Sequence, residues 1–195
     1  MTNLDALNTI TGIANTLGKD VQNVWTDLHT DPRFILWSGS DSPLKHHYGK
    51  GKLAIHTAEV MKMGFASVAT LELMLDPKEW FFASLFHDVG KMYDYSPVEN
   101  TDYQEWTGTE HKRRIHHISR SAIYWSHAIA KYPTLNANYH DQVLHAILAH
   151  HGQREWGSPV APKSRVAWLL HLCDGISARM DDCEKVDYLK LRDKK

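Results

Sequence analysis

Seven residues combine metal-binding or proton-moving side chains with apolar sequence surroundings: His56, His87, Asp88, His117, His150, His151 and Asp174. Leu53-Ala54-Ile55 precedes His56, and Ser84-Leu85-Phe86 precedes the His87-Asp88 pair. Ala146-Ile147-Leu148-Ala149 precedes His150-His151, and Leu169-Leu170-His171-Leu172-Cys173 leads into Asp174. Burying an ionisable group in such surroundings is unfavourable unless it is paired or binds a metal. A lone buried histidine is commonly a satisfied core residue. Five such sites on separate segments, two of them carrying acids, instead predict convergence on one centre.

Convergence would make a coordination sphere. His56, His87, Asp88 and Asp174 would hold one cation, and Asp88 would bridge to a second held by His117, His150 and His151. Two cations about 3.5–4 Å apart generate a bound hydroxide and stabilise both the attacking and leaving oxygens of an in-line displacement at phosphorus. A nitrogen-rich sphere implies one or two divalent transition-metal ions (Mn, Fe, Co, Ni or Zn) rather than Mg, which prefers oxygen ligands and water. Cys173 and Cys183 are the only cysteines, so a four-thiolate zinc site is excluded.

The elements that must position these residues read as helices. Apolar spacing over residues 4–17 predicts an amphipathic helix ended by Gly18, with a second helix at 21–28. Pro32, Pro43, Gly39, Gly49 and Gly51 predict an ordered loop over 31–51. A buried helix is expected over 53–75. Asp76 as N-cap, Pro77 at the first helical position and Glu79 three residues after the cap start the next, which is expected to run to Asp88 and stop at Gly90. Residues 93–108 suit a loop or short hairpin, and further helices are expected at 113–130, 141–150 and 164–180. The fold class is therefore all-α: a bundle of six or seven helices, with a short loop or hairpin insertion.

The ordered series of these ligands, His56, His87-Asp88, His117, His150-His151 and Asp174, resembles the signature of the HD phosphohydrolase superfamily. Within it, three segments are similar to the YhaM-type 3′-to-5′ exoribonucleases. They are His46-His47-x₃-Gly51-x-Leu53-x₂-His56-Thr57, then Leu85-Phe86-His87-Asp88-Val89-Gly90-Lys91, then His150-His151-Gly152 with Glu155-Trp156-Gly157-Ser158-Pro159, continuing through Leu170-His171-x₂-Asp174 to Ala178-Arg179-Met180. The resemblance covers about residues 44–181. It implies metal ligation by the seven residues above, catalytic roles for Asp88 and Lys91, and a place for Lys91 beside the scissile phosphate. His116 is the alternative to His117, which the resemblance favours through the His117-Ile118 step. Lys52 stands where the family usually has the second of two glycines. The expected organisation is a helical N-terminal extension over 1–44, in place of the family's OB-type nucleic-acid-binding domain, an HD domain over 45–183 and a charged tail over 184–195.

On the substrate side, His46, His47, Lys50 and Lys52 form a donor-rich loop in which Gly49 and Gly51 let backbone approach a phosphate. Arg154 and Trp156 follow the ligand pair, and Trp156 either stacks a base or packs. Trp80, Trp106, Trp125 and Trp168 are expected in the core. With 22 Lys+Arg against 23 Asp+Glu, no global positive field exists to hold a long nucleic acid. The expected substrate is a nucleotide or short single-stranded nucleic acid, and the expected reaction is hydrolysis of phosphate esters at 3′ ends or in oligonucleotides. Alternatives are a nucleotide phosphohydrolase (5′-nucleotidase or dNTP triphosphohydrolase), set back by Lys91 where such enzymes carry a glutamate, a cyclic-dinucleotide phosphodiesterase, and a non-catalytic metal- or nucleotide-binding module. The di-iron inositol oxygenases share the ligand series but not the substrate loops. The absence of a leader pattern, of a spanning helix and of a disulfide framework makes a cytoplasmic protein the expectation, with no membrane partner and a homo-oligomer as an open possibility.

Overall fold

A computed structural model of the chain describes residues 1–192, with side chains through residue 183. Its helices, in chain order, are α1 (Asn3–Leu17), α2 (Lys19–His29), α3 (Pro32–Leu36), α4 (Lys52–Thr70), α5 (Pro77–Phe86), α6 (Lys91–Asp94), α7 (Glu110–Arg114), α8 (His117–Ile129), α9 (Pro133–Ala149) and α10 (Arg165–Arg192). Among the described residues seven of these have ten residues or more, the number expected, and α3, α6 and α7 are single turns. Strands β1 (Tyr95–Pro97) and β2 (Trp106–Gly108) pair antiparallel, with Tyr95 opposite Gly108 and Pro97 opposite Trp106. This is the hairpin expected within 93–108.

Local chemistry sets the helix ends. The Thr2 hydroxyl accepts from the Asp5 N–H at 3.2 Å, and the Asp5 carboxylate accepts from the Thr2 N–H at 3.0 Å, a reciprocal cap that starts α1. Asp76 caps α5 through the Lys78 N–H at 2.8 Å, with Pro77 at the first position. Several boundaries differ from expectation, among them the end of α4 at Thr70, five residues early. α5 stops at Phe86, so His87 and Asp88 occupy a turn rather than a helix; at Gly90 any Cβ would lie 2.1 Å from the His117 carbonyl, so the chain turns where it meets the start of α8. The helix expected over 113–130 breaks into α7 and α8 around His116, whose φ is 68°. α9 starts at Pro133, eight residues early, because proline suits a first turn. Another lies in the expected 31–51 loop, where Asp31 and Pro32 nucleate the short α3. The backbone of α10 continues to Arg192 through most of the segment expected as a tail, whose side chains lie outside the described residues.

α5 is the axis of the core. Every residue from Trp80 to Phe86 is buried, and α4, α8, α9 and α10 pack around it. A helix apolar all round belongs in such a central position. α1 lies on α4 and α2 and buries Ala6, Ile10 and Ala14. Buried indoles keep their donors satisfied: Trp80 Nε1 donates to the Met61 carbonyl at 3.0 Å and Trp125 Nε1 to the His140 carbonyl at 3.0 Å. Trp80, Trp106 and Trp125 are core residues as expected, whereas Trp168 is 51% exposed on the outer face of α10. No helix among the described residues is long and apolar enough to cross a membrane.

α4 approaches α5 closely at one point, where a Cβ on Gly64 would lie 1.9 Å from the Trp80 ring. Gly64→Ala should therefore destabilise the fold by roughly 1–3 kcal/mol through overpacking, read as a lower midpoint of thermal unfolding. Gly12→Ala in α1, where a Cβ meets nothing within 4 Å, should leave the midpoint unchanged or raise it. Equal effects at the two positions would refute this account of the α4–α5 contact.

Candidate metal centre

The bundle brings all seven expected ligands to one place. α4 carries His56, the turn after α5 carries His87 and Asp88, and the first residue of α8 is His117. The end of α9 presents His150 and His151, and α10 contributes Asp174. They form two clusters, His56/His87/Asp88/Asp174 and His117/His150/His151, and within each one ligand atom per residue lies within 4.8 Å of all the others. Asp88 Oδ2 lies 3.3 Å from His56 Nε2 and 3.4 Å from His87 Nε2, while its Oδ1 lies 3.6 Å from His117 Nε2 and 3.7 Å from His150 Nε2. One carboxylate thus faces both clusters, one oxygen to each. Asp174 Oδ1 is 3.0 Å from His56 Nε2.

The outer nitrogens decide what the inner ones offer. His87 Nδ1 is 2.8 Å from the Ser84 carbonyl, His150 Nδ1 2.7 Å from the Ile147 carbonyl, and His151 Nδ1 2.7 Å from the Trp156 carbonyl. A carbonyl only accepts, so each Nδ1 carries the hydrogen and each Nε2 presents a lone pair inward. In His56 the Nδ1 hydrogen is fixed indirectly. Ser177 Oγ donates to Glu59 Oε2 at 2.8 Å and so accepts from His56 Nδ1 at 3.0 Å. Nε2 atoms then face one another at 3.3 Å, His56 against His87 and His117 against His151. Asp88 is buried, and apart from the Lys91 ammonium beside Oδ2 its oxygens have no hydrogen-bond partner. Facing ring nitrogens beside a carboxylate with an unpartnered oxygen are a donor set that fits divalent cations.

Charge follows the same pattern. At one end of the site burial opposes charge on His56, but Asp174 and Asp88 outweigh it and lift the imidazole to about 9, so its Nε2 holds a proton between the two carboxylates that a bound cation would replace. Burial would raise both carboxyls; Lys91 and His87 hold Asp88 well below the usual range, and His56 does the same for Asp174. At the other end burial pushes His117 down to about 4, against Asp94, and pushes His150 well down, leaving neutral donors. Lys91 is buried, not the exposed residue that its place after a glycine allows. Its Nζ is 2.7 Å from Asp88 Oδ2, and Asp88 outweighs burial to keep it cationic.

Sequence reasoning missed the groups behind the ligands. Asp94, fully buried, accepts from the His117 backbone N–H at 2.9 Å and faces His117 Nδ1 at 3.2 Å through Oδ2. Its Oδ1 faces His111 Nδ1 at 2.8 Å, and His111 Nε2 accepts from Arg120 Nε at 3.0 Å. The Arg120 donor requires His111 to carry its hydrogen on Nδ1, so Arg120 donates to His111 and both His111 and His117 donate to Asp94, a network that converges on this carboxylate. Glu59 and Ser177 were legible in principle, each three residues after a ligand on the same helix. Asp94 and His111 follow from no spacing rule. His116 stacks on His117 with ring centroids 4.1 Å apart, and it is His117 that joins the His150/His151 cluster.

The substrate-side expectations divide. His46 and Trp156 line a cleft of about 510 Å³ together with His151, His171 and Asp174. Burial pushes His46 down to about 2, so it meets the cleft as a neutral ring. His47 does not line the cleft. Its φ of 54° turns the loop inward, its buried ring lies 3.0 Å from Glu59 Oε2, and its N–H donates to Asp181 at 2.8 Å. Lys50 is drawn to the hairpin, with Nζ 3.6 Å from Asp102 and 5.3 Å from the Tyr103 ring centroid. Lys52 is the first residue of α4, and Arg154 is exposed in a single 3₁₀ turn beside Trp156; neither lines the cleft. At Gly152, φ is 84° and a Cβ would strike the His171 ring at 2.4 Å, so only glycine lets the chain leave the ligand pair here.

The sequence matches the family described as HD domain over residues 53–179. It is 33% identical over 136 residues to the 3′-5′ exoribonuclease YhaM of Shouchella clausii, covering 70% of this chain and 40% of that protein. The enzyme of the same name from Bacillus subtilis is 31% identical over 138 residues, covering 70% and 41%, and that of Listeria innocua 29% over 141 residues, covering 72% and 43%. The chain spans about two fifths of the length of these curated relatives. No solved structure gives a significant match.

Partners behind a metal-binding histidine typically matter about 10–100-fold in metal affinity or activity. Asp94→Asn should weaken Mn²⁺ binding by about that factor while the chain stays folded, as measured by titration calorimetry alongside circular dichroism. Unchanged affinity would remove Asp94 and His111 from the site.

Proposed function

The chain belongs to the HD domain family, and on that premise we propose that it is a metal-dependent phosphohydrolase cleaving phosphodiesters at nucleic-acid 3′ ends or in short oligonucleotides. The observation that carries this reading is Asp88, whose two buried oxygens face two histidine clusters. His56, His87, Asp88 and Asp174 would hold one divalent cation, and Asp88, His117, His150 and His151 the other. Bound there, the cations supply a water of lowered pKa and offset charge on phosphoryl oxygens. Mn, Fe, Co, Ni or Zn suit the nitrogen-rich donors better than Mg.

The chain's own groups supply the rest. Lys91 keeps a buried positive charge beside Asp88, where negative charge grows as phosphorus is attacked. His46 and Trp156 wall the cleft, and its volume of about 510 Å³ takes roughly one nucleotide. That size favours a second reading, hydrolysis of single nucleotides. The 3′-5′ exoribonuclease names of the relatives favour the first.

The test is hydrolysis of bis-p-nitrophenyl phosphate, single-stranded RNA and DNA, dNTPs and cyclic dinucleotides with Mn²⁺. Release of mononucleotides from the 3′ ends of single strands is the expected result, and turnover of dNTPs alone would move the assignment to the second reading. Asp88→Asn should abolish turnover and lower metal content. Lys91→Ala should reduce kcat by about 10²–10³-fold with metal retained, the usual effect of losing one charge-stabilising donor. Unchanged kcat in Lys91→Ala would confine that residue to structure.

A further inference from the structure

α10 turns one face inward and leaves another bare. Trp168, Leu172, Ile176 and Met180 follow at four-residue intervals and are 51, 54, 49 and 59% exposed. Residues four apart share a helix face, so they form one stripe of about 18 Å at roughly 1.5 Å per residue. Trp156, also more than half exposed, extends it: the His171 ring lies between the two indoles, 6.2 Å from Trp156 at 30° and 6.0 Å from Trp168 at 66°. The stripe is continuous with the metal cleft, whose lining includes Trp156, His171, Leu172, Ile176, Met180 and the ligand Asp174. The opposite side of α10, with Ala167, Leu170 and Cys173, is buried. The stripe is therefore not needed to hold the bundle together, and contiguous exposed apolar surface of this kind marks a binding site.

Charge identifies the occupant. At about 3.6 residues per turn, Arg165 and Arg179 fall within the same third of the helix circumference as the four apolar residues. Both are exposed, and Asp182, 3.5 Å from Arg179, lies to the side of that arc. Arg154 and Glu155 are both exposed beside Trp156 and offset each other there. A second copy packed on this face would bring Arg165 and Arg179 of both copies onto one apolar seam. A single-stranded polyanion meets both features, since unpaired bases stack on aromatic and apolar side chains while arginines follow the phosphates.

We propose that the exposed stripe of α10, with Trp156 and Trp168, is a stacking platform for the unpaired bases of a single strand whose end enters the metal cleft. The proposal rests on the phosphodiesterase reading and deepens it. It makes recognition tolerant of sequence, because every base has a stacking face, and restricts it to unpaired strands.

The experiment uses the full chain with Mn²⁺ and a fluorescent ten-nucleotide single strand, measuring binding by anisotropy and, separately, hydrolysis of bis-p-nitrophenyl phosphate. Trp168→Ala should raise Kd for the strand roughly 5- to 100-fold, the range for loss of one stacking partner. Trp168→Phe should stay close to wild type, and both variants should hydrolyse the small ester normally. A Kd unchanged in Trp168→Ala overturns the platform. So does a chain that sediments as a dimer, becomes monomeric on Trp168→Ala and does not bind the strand, which would give the face to a second copy. If the strand binds in a Trp168-dependent way but neither it nor the ester is cleaved, the platform stands and the hydrolase reading fails.

Discussion

A carboxylate taken out of water beside a single ammonium, with no backbone or hydroxyl donor, is among the least favourable things a fold can contain, and Asp88 is in that position. Its oxygens are buried, Oδ2 against Lys91 Nζ at 2.7 Å and Oδ1 without a hydrogen-bond partner. Around them stand the Nε2 atoms of four histidines at 3.3–3.7 Å. The bundle satisfies this demand with positive charge, and the positions of α4, α8, α9 and α10 around α5 can be understood from it. Each of these four helices, or the turn at its end, delivers at least one group to the carboxylate or to its neighbours.

Orientation is achieved from outside. The histidines are not free to choose a tautomer, because each has an acceptor fixed behind it: a carbonyl for His87, His150 and His151, a serine committed to Glu59 for His56, and Asp94 for His117. Three of these acceptors are backbone carbonyls, two of them from the last turn of the helix that carries the histidine. Helix ends leave carbonyls without intrahelical partners. A histidine placed just after a helix is thus oriented by the same feature that ends the helix, which gives a physical reason for the His87-Asp88 and His150-His151 pairs to sit at the ends of α5 and α9 rather than within them.

The centre is buried on one side and open on another. His56, His87, Asp88 and His150 are buried, whereas α10 borders the cleft that reaches the surface. It carries Asp174 and Ser177 inward and a row of apolar side chains outward. One face of α10 thus meets the charged centre and another carries the apolar stripe.

The residues that cluster at the centre, the helical class and the approximate number of long helices were legible in the sequence, because each rests on local patterns: acids and histidines inside apolar runs, caps such as Asp76-Pro77, and glycines that end helices. Tertiary structure alone decided which neighbours support the site. Asp94 reads as one more acid ahead of a hairpin, and His111 as one more histidine in a basic segment; they become a unit with His117 only because α6, α7 and the start of α8 fold against one another. His47 and Lys50 looked equivalent to His46 as phosphate donors, but a positive φ at His47 turned that ring inward and the hairpin drew Lys50 away. Trp168 carried the pattern of a core residue and emerged exposed, since α10 has more apolar residues than the bundle has room to cover. Spacing along a helix specifies which side chains share a face, whereas only packing specifies whether that face meets protein, metal or solvent.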